Sequence, residues 1–127
     1  MFEITVEENF PAAHALRGYR GKCEYVHGHN YRVRVSLEAA ELDAAGLVLD
    51  FVELRRVLGD LLEPFDHRLL NEVAPFDTLN PTAENMAHYF FEELSRRLTA
   101  HAPRVRVTEV RVWETDTATA AYRKTAP

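Results

Sequence analysis

The stretch "CEYVHGHNYRVRV", residues 23–35, joins a lone cysteine, two histidines and the start of a regular alternation. Tyr31, Val33, Val35 and Leu37 alternate with Asn30, Arg32, Arg34 and Ser36, which predicts a strand with one apolar and one polar face. Side chains two apart share a face, so an extended chain carries the apolar parity back through His29 and His27 and points both imidazoles to the apolar side. The sequence holds a single cysteine, so no internal disulfide can form. Cys23 is therefore buried filler, a metal ligand or a reactive thiol.

The pattern on either side of this strand sets the fold class. Phe2, Ile4 and Val6 share one parity that reaches Phe10, Ala12 and His14 if the strand continues past Pro11, where a bulge or an edge position is expected. Two glycines and several charges make 17–26 a loop. Phe51, Leu54, Leu58, Leu61 and Phe65 recur at helical spacing behind Asp50 as N-cap, with Glu53 three positions on and Pro64 as the stop. Ala83, Met86, Ala87, Phe90, Leu94 and Leu98 form a second amphipathic run behind Thr82, ending before Pro103. Two strands follow, at 104–115 and 118–125. In the first of them the apolar phase slips from Val105 and Val107 to Val110 and Val112, which predicts a bulge near Thr108 and Glu109.

The order ββααββ segregates strands from helices and gives an α+β fold, an antiparallel sheet with two helices on one face. The other face carries Arg32, Arg34, Ser36, Arg106 and Arg111 and is expected to be wet. Four strands leave two open edges, which pairing between subunits would cover, so a closed homo-oligomer is expected.

Composition narrows the function classes. The 127 residues suit one domain spanning 1–127, and 46% apolar with 28% charged residues is ordinary for a globular chain. The alternating start "MFEITVEENF" reads as a strand rather than a secretion signal, and no stretch is apolar enough to span a bilayer, so a cytoplasmic location without membrane partners is expected. A net charge of -5 argues against nucleic acid as a partner. Between His14 and Arg34, however, Arg17, Arg20, Lys22, Arg32 and Arg34 face a single acid, Glu24, so this region is either a solvated basic loop or a lure for a small polyanion.

Several side chains could carry chemistry. His27 and His29 offer two neutral nitrogen donors on one strand face, and His14 ends the first strand where an antiparallel neighbour brings it beside them. Three such ligands make a zinc site with an open fourth position and leave the full charge on the metal as a Lewis acid. Cys23 either closes that site as a fourth ligand or stands beside it as a thiolate base. Asp66 can fix the tautomer of His67, although His67 can equally be an exposed loop residue. Glu114, in phase with Val110 and Val112, turns its carboxylate to the apolar side, where a flat heterocycle with adjacent N–H groups or an internal arginine would satisfy it. Thr82 and Glu84 suit a helix cap and an acid complementing the helix dipole. His88 and His101 read as ordinary helix residues.

Taken together, "AAH" at 12–14, "CEYVHGHNY" at 23–31, "LDF" at 49–51, "DHRLLN" at 66–71, "NPTAEN" at 80–85 and "WET" at 113–115 resemble the family of 6-pyruvoyl-tetrahydropterin and 6-carboxytetrahydropterin synthases. The resemblance implies a tunnelling fold, in which ββααββ units form trimeric barrels stacked into homohexamers with active sites between subunits. It implies His14, His27 and His29 as ligands of Zn2+, Cys23 as catalytic base, Asp66 with His67 as proton relay, and Glu114, Thr82 and Glu84 as pterin contacts. The implied substrate is 7,8-dihydroneopterin triphosphate. Three residues separate Cys23 from His27. This short spacing resembles the branch that releases acetaldehyde and 6-carboxytetrahydropterin on the route to queuosine; the pyruvoyl-forming branch is the alternative. Two further classes remain open: a noncatalytic zinc-stabilised oligomer, and an RNA-binding protein using the arginine-bearing sheet face.

Overall fold

A computed structural model describes residues 1–19, 21 and 25–124. The elements follow the predicted order: β1 (Phe2–His14), β2 (His27–Ala39), α1 (Phe51–Leu62), α2 (Ala83–His101), β3 (Arg106–Thr115) and β4 (Ala118–Arg123). The sheet is antiparallel in the order β1-β2-β3-β4. Its apolar face, from Val6 and Phe10 through Tyr31, Val33 and Val35 to Val110 and Val112, is buried under the helices. Helix α1 lies against β1, and α2 lies across β3 and β4.

Each helix begins where its cap places it. The Asp50 carboxylate accepts the Val52 N–H at 2.8 Å, and the Thr82 hydroxyl accepts the Asn85 N–H at 3.1 Å. Helix α1 buries Leu54, Val57, Leu58 and Leu61, and Phe65 follows in a short 3-10 turn, Glu63–Phe65. Phe51 departs from the expected stripe: it opens the first turn of the helix and is 53% exposed. Helix α2 buries every apolar position predicted for it, together with Phe91.

The β1–β2 ladder pairs Phe2 with Ala39 and continues without a break to His14 opposite His27. No bulge occurs at Pro11. Proline is tolerated there because β1 is an edge strand, the other possibility raised by the sequence. The far half of that edge is covered by the chain after α1: His67 N–H donates to the Pro11 carbonyl at 2.7 Å, and Ala13 N–H donates to the Arg68 carbonyl at 3.0 Å. On β3 the predicted bulge is present, with Ser36 opposite Glu109 and Leu37 opposite Val107, so that Thr108 is the extra residue. A second irregularity was not legible. Trp113 pairs with Thr119 and Thr115 with Ala118, leaving Glu114 as the inserted residue.

The polar sheet face is tied together by charge. The Glu109 carboxylate meets Arg34 at 3.1 Å, Arg111 at 3.3 Å and Arg123 at 2.6 Å, and Glu38 pairs with Arg106. The Arg32 guanidinium lies 4.1 Å from the centre of the Trp113 ring. Ser36 departs from the expected wet face, being buried between Thr5 and Thr108. Among the described residues no helix is long and apolar enough to cross a membrane.

Candidate metal centre

The imidazoles meet because of register. His14 closes β1 opposite His27, which opens β2, and His29 lies two residues on, opposite Ala12, with its ring on the same face. Ring centres are 4.6 Å apart for His14 and His27, 5.1 Å for His14 and His29, and 4.8 Å for His27 and His29. Strand β3, paired to β2 with Trp113 opposite Arg32, adds Glu114, whose Oε1 lies 3.3 Å from His29 Nε2. One donor atom from each of these four residues falls within 4.8 Å of the others.

The hydrogen bonds around the rings fix which nitrogens face inward. A carbonyl can only accept, so His14 Nδ1–H donates to the Pro81 carbonyl at 2.8 Å, and His27 Nδ1–H donates to the Tyr25 carbonyl at 2.7 Å. Each neutral ring then presents a bare Nε2, and those two atoms stand 3.0 Å apart. Two lone pairs at that separation repel unless a proton or a cation lies between them. His29 Nε2 is buried and makes no hydrogen bond, its contact with Glu114 being poorly directed. Burial holds His14 and His29 below the ordinary histidine pKa, against the opposing pull of Glu114 on both and of the Pro81 carbonyl on His14. Neutral rings with inward Nε2 atoms and carbonyl-anchored Nδ1 atoms are the form that ligates a metal. The donor set therefore fits a borderline divalent cation such as zinc.

The remaining predicted residues fall into three groups. Asp66 and His67 do touch, with Oδ1 to Nδ1 at 2.8 Å, on an exposed turn where His67 takes a φ of +58°. His67 and His29 line one cleft of about 480 Å³ beside the far end of β1. A left-handed backbone at a non-glycine residue is uncommon, and here the His67 N–H bond to Pro11 on β1 holds it. Thr82 spends its hydroxyl as the cap of α2, one residue beyond the carbonyl that holds His14, and Glu84 is exposed in the first turn. Cys23 lies outside the described residues, as do Arg20, Lys22 and Glu24.

The basic loop is altered as a candidate anion site. Of its described cations, Arg17 donates to main-chain carbonyls, Arg32 covers Trp113 and Arg34 pairs with Glu109. Sequence reading also missed three groups that support the site: the Pro81 carbonyl, the Tyr25 carbonyl and the Tyr31 hydroxyl, which lies 3.0 Å from His14 Nδ1. Only Tyr31 left a signal, by sharing the histidine parity on β2.

Residues 3–125 match the family model described as 6-pyruvoyl tetrahydropterin synthase. The chain belongs to that family. A relative from Archaeoglobus fulgidus, provisionally named as a 6-carboxy-5,6,7,8-tetrahydropterin synthase, is 38% identical over 106 residues, covering 84% of this chain and 86% of the other. The 6-carboxy-5,6,7,8-tetrahydropterin synthase of Haemophilus influenzae is 29% identical over 150 residues, covering 98% of this chain and all of its own length (100%). The solved structure of Caenorhabditis elegans 6-pyruvoyl tetrahydropterin synthase superposes with a TM-score of 0.82 at 30% identity, covering 98% of each chain. The ββααββ unit is thus the tunnelling fold of this family.

Proposed function

We propose that the protein is a zinc-dependent 6-carboxy-5,6,7,8-tetrahydropterin synthase, converting 7,8-dihydroneopterin triphosphate to 6-carboxytetrahydropterin, acetaldehyde and triphosphate. The observation that carries this reading is the convergence of three imidazoles, two of which, His14 and His27, are anchored through Nδ1 on carbonyls and so turn a bare Nε2 inward. His14, His27 and His29 would hold the zinc, which supplies a Lewis acid able to polarise a substrate oxygen. The carboxy product is favoured by the three-residue spacing between Cys23 and His27 and by the names of the two relatives.

In this reading the chain's own groups move the protons. Cys23 is the base. His67, its Nδ1 held by the Asp66 carboxylate, keeps Nε2 available to accept a proton and return it, on the same cleft that His29 lines. Glu114, with Thr82 and Glu84, contacts the pterin, and its carboxylate turns from His29 towards the heterocycle's N–H groups when substrate enters. The whole of 1–127 acts as one domain in the cytoplasm, without nucleic-acid or membrane partners.

The unit works as a homohexamer, a dimer of trimers. The front half of β1 carries Glu3, Glu7 and Glu8, whereas β4 ends at Arg123 with Lys124 just beyond it, so the two edges have opposite charge and suit head-to-tail pairing.

Mass analysis of products after incubation with 7,8-dihydroneopterin triphosphate tests the reading. Acetaldehyde with 6-carboxytetrahydropterin is expected. The pyruvoyl product would favour the alternative that the likeness to the C. elegans structure supports. Absence of any reaction would favour a second reading, a noncatalytic zinc-stabilised oligomer, for which Glu114 is the fourth donor in reach. In the enzyme, Cys23→Ala loses turnover and keeps both metal and assembly.

A further inference from the structure

Arg17 follows His14 by three residues, in a stretch whose charge suggests attraction for an anion. Its guanidinium is turned inward on main-chain oxygens instead. Nη1 donates to the Leu79 carbonyl at 3.1 Å, and Nη2 donates to the Phe76 carbonyl at 2.8 Å and the Asp77 carbonyl at 3.3 Å. A planar fork can serve several carbonyls at once, which a lysine ammonium on its flexible stem does less well.

The backbone around Arg17 is stitched to the same loop by Asn80 and to the preceding 3-10 turn, Leu70–Glu72, by Asn71. Arg17 N–H donates to Asn80 Oδ1 at 2.8 Å while Asn80 Nδ2 donates to the Arg17 carbonyl at 3.0 Å. Asn71 makes the same reciprocal pair with Ala15, both bonds at 2.8 Å. One residue beyond Asn80 stands Pro81, whose carbonyl receives His14 Nδ1–H. The path from the guanidinium to the metal-facing ring is therefore short and made of directed bonds: Arg17 to the 76–79 carbonyls, that loop to Pro81, and Pro81 to His14.

We infer that Arg17 is a positioning residue for the metal-ligating ring of His14, acting through the 76–81 loop. It holds the loop against the chain leaving β1, so the Pro81 carbonyl stays in line with Nδ1 and Nε2 stays aimed at the other two imidazoles. Arg17 touches none of those rings and has no part in proton transfer. The inference rests on the metal reading of the site, but the orientation of His14 can be observed without metal.

The molecule contains its own control. Arg104 clamps another loop in the same way, donating to the carbonyls of Glu41 at 3.2 Å and Val48 at 2.6 Å, at the end of the sheet remote from the histidines. R17A, R17K and R104A are compared by thermal melting, by zinc affinity from chelator competition, and by imidazole nitrogen and proton spectra of the metal-free protein. R17A is expected to weaken zinc about tenfold, the lower end of the usual range for groups that orient a ligand, and to lose the protected Nδ1–H signal of His14. R17K, which keeps the charge and loses the fork, gives a smaller loss in the same direction. R104A lowers the melting midpoint and leaves zinc affinity and the signal unchanged.

The inference is overturned if R17A and R17K bind zinc as the parent does with the His14 signal intact, or if R104A weakens zinc equally, since the effect would then be general loosening. Should R17A fail to fold, R17K decides by the same two readouts. Failure of the parent protein to bind zinc would remove the metal reading, and the His14 signal alone would then decide whether Arg17 positions the ring.

Discussion

The middle and the far end of the β1–β2 ladder obey one geometry and serve different purposes. In its middle, Val6 faces Val35 and Phe10 faces Tyr31, all buried, with the Phe10 and Tyr31 rings stacked 5.3 Å apart. At its far end, on the same face and in the same register, Ala12 faces His29 and His14 faces His27. In the middle, removing apolar surface from water stabilises the fold and no side chain needs a particular direction beyond good packing. At the end, direction is everything, and it comes from outside the ladder, from the carbonyls of Pro81 and Tyr25. Alternation brings the imidazoles together, and loop carbonyls decide which nitrogen His14 and His27 show.

Substitutions can separate the two regions. The largest effect is expected for His29→Ala, which removes one of three nitrogen donors: zinc affinity should fall by at least about 100-fold in chelator competition, with the fold retained. Retention of parental affinity would show that the imidazoles do not ligate metal. Phe10→Ala should do the reverse, costing roughly 3–5 kcal/mol in denaturant unfolding while leaving the imidazole donors in place. Tyr31→Phe lies at the junction of the two regions. It keeps the ring stack and removes the hydroxyl beside His14, so about a tenfold loss of zinc affinity is expected.

The smallest effect is a pH dependence of the metal-free protein. Burial holds the folded-state pKa values of His14 and His29 below the ordinary histidine value. Between the lowered value and about 6.5, the unfolded chain binds more protons than the folded one. Stability should therefore fall as the pH drops through 6.5 towards the folded-state values, and zinc should move that fall to lower pH. Unfolding curves at several pH values, with and without metal, check the sign; a stability that rises on acidification would contradict the burial of neutral rings.

Much of this arrangement is legible in the chain because it depends on local periodicity. The parity of β2 places His27 and His29 on the apolar face, the parity of β1 delivers His14, and the phase slip in β3 marks the bulge at Thr108. Other features depend on partners far away along the chain and leave no local trace. Phe51 has the right spacing for a buried stripe, but whether anything covers the first turn depends on elements distant in the chain, and it stands exposed. Glu114 has the right parity for the interior, but only the β2–β3 register, with Trp113 opposite Arg32, sets it beside His29. Arg17 looks like loop charge until the carbonyls of residues 76–79 are placed around it. The resemblance to the pterin synthases named the three histidines, and the carbonyl contacts supply a physical reason why the rings of His14 and His27 point as they do.

The turn after α1 that lies along the far half of β1 also governs how this sheet can grow. Its two bonds, His67 to Pro11 and Arg68 to Ala13, already occupy the hydrogen-bonding groups that an incoming strand would need there. On β1 an incoming strand is therefore left only the front half, which carries Glu3, Glu7 and Glu8 and stops short of His14. In the assembly proposed above, a seam along β1 would leave the corner that holds His14 and His27 unzipped.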